Sequence, residues 1–303
     1  MSLISIITVN YNQPEATLAL LQSIEQHYPK GNIEVIVVDN GSKVDCSKRF
    51  IDQREDLIYI RSEQNLGFAG GNNLGLKRAT GDLLFLVNND TEFTAGILET
   101  LSESLHADPR IGIVSPKILY YDEPTIIQYA GFTSMNFYTC RNKCIGQFEQ
   151  DFGQYDHILA ETGFAHGAAM MITRKALQAS GPMAENFFLY FEEMDWCERI
   201  KRAGFKVYVN TEASIFHKES LSVGKNSALK EYFMNRNRLL FIRRNATLSQ
   251  RIFFYFYFCS LVVPRNILNY LRSGNSSYVS ILFRAISWNL KNDISSSNLG
   301  YTF

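Results

Sequence analysis

Hydrophobic runs without regular polar alternation recur along the N-terminal third of the chain. Leu3 to Val9 is the first, and its pattern predicts a β-strand buried on both faces. Pro14 is expected to open an amphipathic helix whose apolar stripe includes Leu18 and Leu21. Further strands are predicted at residues 33–38, 57–60 and 82–87. Because strand and helix alternate with short links, the predicted fold class is α/β, with a mostly parallel sheet flanked by helices.

Polar residues cluster where three of these strands are predicted to end. The clusters are residues 8–12, 39–42 and 88–90. In open α/β sheets, ligands collect at the carboxyl ends of the strands. One such cluster is typical of an ordinary turn, but three at one edge of a sheet predict a binding site.

A glycine-rich segment, residues 65–71, is predicted to form a loop that leads into a helix over residues 72–79. A helix N-terminus offers unpaired N–H groups and a positive dipole end, which suit a ribose or a phosphate. A simple helix entry accounts for the same residues equally well. The glycines at positions 67, 70, 71 and 75 lack the G-x-G-x-x-G spacing, which counts against a dinucleotide-binding oxidoreductase.

The pattern becomes less regular after Ile113. Residues 120–160 are rich in loop-forming and aromatic residues, and a last strand is predicted from Lys206 to Phe216. Between them, residues 187–202 join an aromatic run to a probable acidic helix start. From Ala228 onward the chain is expected to form a helical, basic and aromatic C-terminal appendage.

The charge is unevenly distributed. The 303 residues are 46% hydrophobic and 20% charged, which allows a substantial core and argues against disorder. The net charge is zero, yet no acidic residue lies between Tyr232 and Asn292, whereas nine basic residues do: Arg236, Arg238, Arg243, Arg244, Arg251, Arg265, Arg272, Arg284 and Lys291. Arginines beside aromatics indicate a helix at an anionic membrane surface. Alternatively, the aromatics pack on the rest of the protein and the arginines face water. Nucleic acid is not an expected partner, because the rest of the chain is acidic.

The cysteines and the termini bear on the compartment. Five scattered cysteines argue against a disulfide framework and favour a reducing environment. No basic region precedes the first hydrophobic run, so a signal peptide is not expected. The strongest apolar stretch, Ile252 to Val263, is shorter than the roughly 20 residues needed to span a bilayer, and Pro264 is expected to end it. We therefore expect a cytoplasmic protein, peripheral on the inner face of the plasma membrane.

Six motifs in a fixed order resemble those of family 2 glycosyltransferases, the inverting enzymes of the GT-A fold, and of their bacterial rhamnosyltransferase-like members in particular. They are Thr8-Val9-Asn10-Tyr11-Asn12, Val38-Asp39-Asn40-Gly41-Ser42, Asn65-Leu66-Gly67-Phe68-Ala69-Gly70-Gly71-Asn72, Asn88-Asn89-Asp90, Phe188-Leu189-Tyr190-Phe191-Glu192-Glu193-Met194-Asp195-Trp196 and Phe216-His217. The resemblance covers roughly residues 3–245. It implies a catalytic domain over residues 1–227, divided at about residue 115 into nucleotide-binding and acceptor halves, and a C-terminal segment over residues 228–303.

The resemblance implies a pocket for a UDP- or dTDP-sugar donor. A carboxylate at Asp39 can accept a hydrogen bond from the N–H of a pyrimidine base, and backbone groups near Thr8 and Val9 can complete the edge. The residues assigned to the donor nucleotide are Thr8, Val9, Asn10, Asn12, Asp39, Asn40, Asn65, Gly67, Asn72 and Asn89.

The resemblance also implies a divalent metal. Asn88-Asn89-Asp90 takes the place of the D-x-D motif of the family, and His217 matches a late metal ligand. Mg²⁺ and Mn²⁺ prefer oxygen ligands and can bridge a diphosphate. Asp90 and His217 are therefore the expected metal ligands.

The acidic helix start is expected to supply the chemistry. Inverting transfer is one in-line displacement, and it needs a general base for the acceptor hydroxyl. The Glu-Asp motif of the family aligns Glu193 with this base, but the usual aspartate is here a glutamate, so Asp195 is a second candidate. The residues assigned to the donor sugar or the acceptor are His166, Gly167, Glu192 and Trp196. The expected acceptor is a glycan or a lipid-linked glycan of cell-surface polysaccharide synthesis.

Two other functions remain open at the level of the sequence. A sugar-nucleotide nucleotidyltransferase would share the fold, but the first strand lacks the glycine-rich basic loop that binds a triphosphate. A non-catalytic sugar-binding module would keep the fold without the chemistry, and it would be favoured if Asp90 and Glu193 lay far apart.

Overall fold

The computed structural model describes residues 2–29, 31–218 and 227–301. Within these ranges, the buried hydrophobic runs form strands of one sheet. The strands are β1 (Ile4–Asn10), β2 (Ile33–Asn40), β3 (Ile58–Ser62), β4 (Leu83–Val87), β5 (Thr91–Phe93), β6 (Ile111–Tyr120), β7 (Ile127–Tyr129), β8 (Leu159–Glu161), β9 (Ala169–Thr173) and β10 (Lys206–His217). The α-helices are α1 (Pro14–His27), α2 (Ser47–Gln53), α3 (Gly67–Arg78), α4 (Ile97–Ala107), α5 (Arg174–Ser180), α6 (Glu192–Arg202), α7 (Ala228–Asn245), α8 (Leu248–Tyr257), α9 (Val263–Arg272) and α10 (Ser277–Lys291).

The sheet is parallel on one side and mixed on the other. Its order is β3-β2-β1-β4-β9-β6-β10-β5, with β7 paired to β6 and β8 paired to β10. The first four strands along this path are parallel, as predicted. β9 runs antiparallel to both β4 and β6, and β6 and β10 are again parallel. The carboxyl ends of β1, β2, β4, β6 and β10 therefore share one edge of the sheet.

Helices cover both faces of the sheet, because their apolar stripes must be removed from water. On one face, α1 and α4 bury Leu20 and Leu101 among the strand side chains. On the other face, Leu76 of α3, Ala176 of α5 and Ile200 of α6 share a second cluster with the sheet. Both faces of the central strands are thus buried, which explains their lack of alternation.

The glycine-rich segment differs from its prediction as a loop, because α3 already begins at Gly67. A Cβ at Gly75 would lie 2.3 Å from Cγ2 of Ile7, and one at Gly71 would lie 2.8 Å from Cγ1 of Val9. These glycines are therefore helical residues that let α3 approach β1 closely. Their low helix propensity made the segment resemble a loop in the sequence.

The C-terminal helices share a hydrophobic cluster with the rest of the protein. Phe187 and Phe191, which precede α6, belong to the same buried cluster as Leu240 of α7, Phe254 of α8 and Leu282 of α10. The helical prediction from Ala228 onward is confirmed. These helices therefore pack part of their apolar surface on the rest of the protein.

α8 and α9 belong to one helical run of 25 residues, Leu248–Arg272. Residues 258–262 between them form a π-helical turn, and Pro264 lies in the first turn of α9. The prediction that Pro264 ends the helix is therefore wrong, since a widened turn accommodates its ring and its missing N–H. The run is long and apolar enough, by length and composition, to cross a membrane, and 17% of its apolar window is buried. The expectation from the sequence was an apolar stretch, residues 252–263, that is too short to span a bilayer. The longer helical run corrects that expectation.

The arginines of α7 do not simply face water, as one alternative supposed. Each donates to an oxygen atom of the protein: Arg236 to Leu299, Arg238 to Thr139, Arg243 to Asn292 and Arg244 to Asp195. All four arginines of α7 are therefore engaged internally. The remaining five of the nine basic residues belong to α8, α9 and α10.

Candidate active site

An open cleft of about 270 Å³ lies at the carboxyl edge of the sheet. Residues from β1, β2 and β4, from the start of α3 and from the segment before α6 form its walls. They are Val9, Tyr11, Asn40, Asn65, Gly67, Phe68, Asn72, Val87, Asn88, Asn89, Asp90, Phe188, Leu189, Tyr190, His217 and Leu229. The three polar clusters predicted at strand ends thus contribute to one site, together with His217.

Six of the ten residues assigned to the donor nucleotide line the cleft: Val9, Asn40, Asn65, Gly67, Asn72 and Asn89. Thr8, Asn10, Asn12 and Asp39 are not among the lining residues. The amide of Asn10 is buried, where it accepts from Thr17 Oγ1 at 3.0 Å and donates to Ser42 Oγ at 3.1 Å. Asn12 holds the same turn through Lys43 N, at 2.8 Å. These two asparagines therefore shape the loop beside the cleft.

Asp39 is fully buried, and both of its carboxylate oxygens already have partners. Ser42 N donates to Oδ1 at 2.8 Å, and the Tyr59 hydroxyl donates to Oδ2 at 3.1 Å. A guanidinium nitrogen of Arg61 lies 3.6 Å from Oδ2. A base N–H can reach this carboxylate only by displacing one of these donors.

The amides of Asn40 and Asn65 fix the start of α3. Asn40 Oδ1 accepts from Leu66 N at 3.0 Å, and its Nδ2 donates to Gly67 O at 3.0 Å. Asn65 Oδ1 accepts from Gly67 N at 2.8 Å. Phe68 N donates to the carbonyl oxygen of Phe188 at 2.7 Å. Three N–H groups of the predicted phosphate cradle, those of Leu66, Gly67 and Phe68, are therefore already used by the protein.

Asp90 and His217 form a pair of acceptors on the cleft wall. Asp90 Oδ1 lies 3.2 Å from His217 Nε2, and this buried oxygen makes no hydrogen bond within the described residues. His217 Nδ1 lies 2.8 Å from Gln128 Oε1, an amide oxygen that can only accept. With Gln128 Oε1 as its acceptor, Nδ1 carries a proton, and Nε2 is the ring nitrogen that faces Asp90. A carboxylate oxygen and an imidazole nitrogen that face each other in this way fit a divalent cation.

Across the described residues, no group of three His, Cys, Asp or Glu side chains comes together as a metal cage. Two protein ligands suffice for Mg²⁺ or Mn²⁺ when a bound diphosphate supplies further oxygens. Gln128, which orients His217, was not predicted. It lies on β7, inside the loop-rich region, and a lone glutamine carries no sequence signal.

Glu193 lies in the first turn of α6 and is partly exposed. Burial of its carboxyl group raises its pKa to about 7, although the N–H groups of residues 193 and 194 favour the charged form. A Cβ at Gly167 would lie 3.9 Å from Glu193 Cγ and 3.7 Å from Cζ of Phe68, which lines the cleft. The raised pKa brings ionisation of this carboxyl group closer to neutral pH, and its place beside Gly167 puts it close to the cleft, as a general base requires.

One short segment, residues 166–168, contacts both Asn88, two positions before Asp90, and Glu193. Asn88 N donates to Ala168 O at 2.9 Å, and Gly167 adjoins Glu193 as described. The end of β4, which leads to Asp90, and the start of α6, which carries Glu193, therefore both contact this segment.

His166 lies beside His217. Its Nδ1 accepts from Ala168 N at 3.1 Å, and its ring centroid lies 6.3 Å from that of His217. Burial, with a smaller effect from His217, lowers the pKa of His166 to about 3, so the ring is neutral. Its contact with a sugar stays a prediction.

Glu192 is buried, and its Oε2 has no hydrogen-bond partner within the described chain. Burial, followed by the charge of Glu193, raises the pKa of Glu192 well above its usual range. Its surroundings therefore favour the protonated form of the Glu192 carboxyl group. Such a group can donate to a ligand but cannot serve as a base.

Asp195 is turned away from the cleft, which makes its prediction as a second base wrong. It is fully buried. Oδ1 accepts from Arg244 Nε and from Asn245 Nδ2, both at 2.9 Å, and Oδ2 accepts from Arg199 Nε at 3.0 Å. With both oxygens bound to cations or an amide, Asp195 joins α6 to α7.

The assignment of Trp196 to the donor sugar or the acceptor is also corrected, because this residue lies in the core. Its side chain is fully buried, and Nε1 donates to Gly181 O at 2.8 Å. In the sequence, an aromatic residue beside the acidic cluster could not be distinguished from a stacking platform.

The segment before α6 has an unusual backbone. Phe188, Tyr190 and Phe191 have φ values of +65°, +70° and +73°, in the region that disfavours non-glycine residues. Each such residue costs about 1–3 kcal/mol and persists only where its surroundings hold it. This conformation places Leu189 and Tyr190 in the cleft wall and directs the chain into α6.

Comparisons with known proteins identify relatives of this chain. The sequence model described as Glycosyl transferase family 2 matches residues 5–181. The chain is 28% identical over 254 residues to the low-salt glycan biosynthesis hexosyltransferase Agl10 of Haloferax volcanii, covering 82% of this chain and 78% of that protein. It is 21% identical over 217 residues to the N-acetylglucosaminyl-diphospho-decaprenol L-rhamnosyltransferase of Mycobacterium tuberculosis, covering 65% of this chain and 70% of that one.

Solved structures with the same fold include other glycosyltransferases. The mannosyltransferase PcManGT from Pyrobaculum calidifontis, in complex with GDP-Man and Mn²⁺, has a TM-score of 0.58 at 15% identity, covering 96% of this chain and 87% of that one. TarS residues 1–349 from S. aureus, in complex with UDP, has a TM-score of 0.56 at 14% identity, covering 93% and 80%. The predicted GT-A fold is confirmed. Since the family match includes more than half of the residues and the predicted motifs meet at one cleft, this protein belongs to glycosyl transferase family 2.

Proposed function

We propose that this protein is an inverting, metal-dependent hexosyltransferase that uses a UDP- or dTDP-sugar. The observation that carries the proposal is the pair of side chains on the cleft wall, Asp90 and His217, whose Oδ1 and Nε2 atoms lie 3.2 Å apart. A carboxyl group of suitable pKa, that of Glu193, lies nearby. The nucleotidyltransferase alternative is set aside, because the family match supports glycosyl transfer.

The reaction follows from these groups. Mg²⁺ or Mn²⁺ held by Asp90 and His217 would offset the charge that develops on the departing diphosphate. The ionised carboxylate of Glu193 accepts the proton of the acceptor hydroxyl. At the same time, the hydroxyl oxygen bonds to the anomeric carbon. The bond from that carbon to the diphosphate oxygen breaks on the opposite side, which inverts the configuration. Gly167, which has no side chain, leaves room for the sugar beside Glu193.

The donor base and sugar are assigned from chemistry and relatives. Asp39 binds the N–H of a pyrimidine base if the Tyr59 hydroxyl turns away from Oδ2. Asn40, Asn65 and Asn72 in the cleft wall suit the ribose and phosphates. Rhamnose is the leading sugar, supported by the mycobacterial relative that is named as an L-rhamnosyltransferase. Other hexoses follow from the relative named only as a hexosyltransferase.

A lipid-linked acceptor would explain the surface of the C-terminal helices. The mycobacterial relative is named for a diphospho-decaprenol acceptor. Along α8 and α9, large apolar side chains are exposed: Leu248, Ile252, Phe253, Phe256, Leu261, Leu268 and Leu271. Arg265 and Arg272 are exposed on the same helical run, and each basic residue near an anionic surface contributes about 1 kcal/mol. The protein would then lie on the inner face of the plasma membrane and serve cell-surface polysaccharide synthesis.

A donor panel tests the function directly. UDP-, dTDP- and GDP-sugars are incubated with Mn²⁺ and an isolated lipid-diphosphate-sugar acceptor, and released nucleoside diphosphate is measured. We expect turnover with a UDP- or dTDP-sugar, loss of turnover in EDTA, and an inverted anomeric centre by NMR. Absence of turnover throughout contradicts transfer, whereas full activity in EDTA contradicts the metal.

Phe256→Ser should weaken binding to anionic vesicles by about tenfold or more, because burying a phenylalanine side chain contributes about 1.5–3 kcal/mol. Phe256 is 73% exposed. Phe152→Ser is the matched control, since Phe152 is 85% exposed but belongs to a distant loop. Co-sedimentation with phosphatidylglycerol vesicles at low salt measures both variants. Equal binding by the Phe256 variant and the wild type would argue against this surface.

A further inference from the structure

Asn237, in the middle of α7, binds three carbonyl groups of the backbone segment that leads to the proposed base. Its Nδ2 donates to the carbonyl oxygens of Phe187, Leu189 and Tyr190, at 2.8, 2.7 and 2.8 Å. Asn237 is fully buried. Three carbonyl groups therefore converge on one amide nitrogen, inside the protein and 47 or more residues away along the chain.

Arg236 fixes the orientation of that amide. Its Nε donates to Asn237 Oδ1 at 2.8 Å, so the NH2 group must face the loop. The guanidinium also donates to the carbonyl oxygens of Asn186 and Phe187. It lies 4.5 Å from the centroid of the Trp288 ring, which holds it against α10. Arg236 thus directs the NH2 group of Asn237 at the three carbonyl oxygens.

The held segment has consequences on both sides of the cleft. The carbonyl oxygen of Phe188 accepts from Phe68 N at the start of α3, and Leu189 and Tyr190 are part of the cleft wall. Two residues after Tyr190, the chain enters α6 with Glu192 and Glu193. Since three residues of the segment have positive φ, its conformation depends on partners outside it.

We propose that Asn237 is a positioning residue, which fixes the loop of residues 187–191 and through it the direction of the Glu193 carboxylate. The proposal rests on the proposed function, because it assumes that Glu193 is the base. It assigns α7, outside the residues that the family model matches, to the catalytic machinery. An amide is required here, because a carboxylate of the same size would repel the three carbonyl groups.

The chain offers a matched control in Asn289 of α10. This asparagine is also buried, and its Nδ2 donates to the carbonyl oxygens of Arg236 and Ala285, at 2.9 and 3.1 Å. It therefore has the same chemistry and a comparable share in packing α7, but its acceptors are in helices and not in the loop. A purely structural role predicts that variants of the two asparagines behave alike.

The experiment compares Asn237→Ala, Asn237→Asp, Asn237→Ser and Asn289→Ala in the full-length chain. We expect kcat to fall by about 100-fold in Asn237→Ala, the loss typical of a small misplacement of a reacting group. Asn237→Asp should lose at least as much, whereas Asn237→Ser keeps one donor and should retain more activity. Nucleotide affinity, measured with UDP and dTDP by calorimetry, should change much less than kcat. Asn289→Ala should keep its kcat once it is corrected for the folded fraction.

Hydrogen exchange by mass spectrometry gives a readout that does not depend on turnover. Peptides over residues 186–193 should exchange faster in Asn237→Ala and stay protected in Asn289→Ala. Equal protection in both variants, or an equal loss of kcat in both, overturns the proposal. If the wild-type chain transfers no sugar at all, the proposed function fails, and the exchange data still decide whether Asn237 holds the loop. If the alanine and aspartate variants do not fold, the serine variant decides.

Discussion

Glu193→Gln is expected to lower kcat by about 10²–10⁴-fold, the usual contribution of a general base. Glutamine keeps the shape of the side chain but cannot accept the proton of the acceptor hydroxyl. Nucleotide affinity should be nearly unchanged, because Glu193 adjoins the sugar side of the cleft through Gly167 and does not line the nucleotide side. Initial rates at saturating donor, together with calorimetric UDP or dTDP binding, separate the two quantities.

The pH dependence of the same variant gives a second test. Because burial raises the pKa of Glu193 from 4.5 to about 7, the wild-type kcat should rise as the pH passes through about 7 and the base ionises. The folded state prefers the protonated carboxyl, so its contribution to stability is present below pH 4.5 and is lost as the pH rises towards 7. The glutamine variant should lack this loss and should be relatively more stable at pH 8.

Glu198→Gln is the matched control for this prediction. Glu198 lies on the same helix and is partly buried, and its carboxylate pairs with Lys201 Nζ at 2.9 Å. Its kcat and pH profile should match those of the wild type. Unchanged turnover in Glu193→Gln would remove Glu193 as the base, and the engaged oxygens of Asp195 mean that another group would have to be found.

Asp90→Ala should abolish metal-dependent turnover, with a loss of at least about 100-fold, because a bound cation contributes several kcal/mol to stabilising the leaving diphosphate. Unlike Glu193→Gln, this variant should also bind the nucleotide more weakly, since a metal held by Asp90 would also bind the diphosphate. Mn²⁺ binding in the presence of UDP or dTDP can be measured by electron paramagnetic resonance. Normal Mn²⁺ affinity in the variant would contradict the assignment.

Gln128→Leu tests the orientation of His217 without removing a ligand. Loss of a group that holds a metal-binding histidine typically lowers metal affinity or activity by about 10–100-fold. The effect should therefore be smaller than that of Asp90→Ala. Asp122→Ala serves as the control, because Asp122 is an exposed carboxylate outside the cleft.

The strands β1, β2 and β4 and the helix α1 were predictable because burial has a local signature. A strand covered on both faces is apolar without alternation, and a helix with one covered face repeats its apolar residues every three or four positions. The polar ends of β1, β2 and β4 could be placed at one edge for the same reason, since parallel strands share a direction. Asp90 and His217 followed from motifs at those ends.

The direction of a side chain was not predictable where remote residues decide it. Asp195 and Glu193 are two positions apart, so α6 directs them to nearly opposite faces, and Arg244 and Asn245, about fifty residues later, bind the Asp195 carboxylate. Gln128 acquires its role only because β7 folds against β6 beside His217. Pro264 continues a helix because the preceding turn is widened, a rearrangement that no local pattern announces.

The bonds of Asp195 limit how this enzyme can be recombined with its relatives. Without Arg244 and Asn245, the fully buried Asp195 carboxylate would keep only Arg199 of α6 as a charged partner, and breaking a buried pair costs about 3–5 kcal/mol. A chimaera that replaced α7 with an unrelated helix would meet that penalty even if every cleft residue were retained. Exchange of acceptor preference between family members by swapping C-terminal segments should therefore succeed only when the donor segment brings its own counterparts of Arg244 and Asn245.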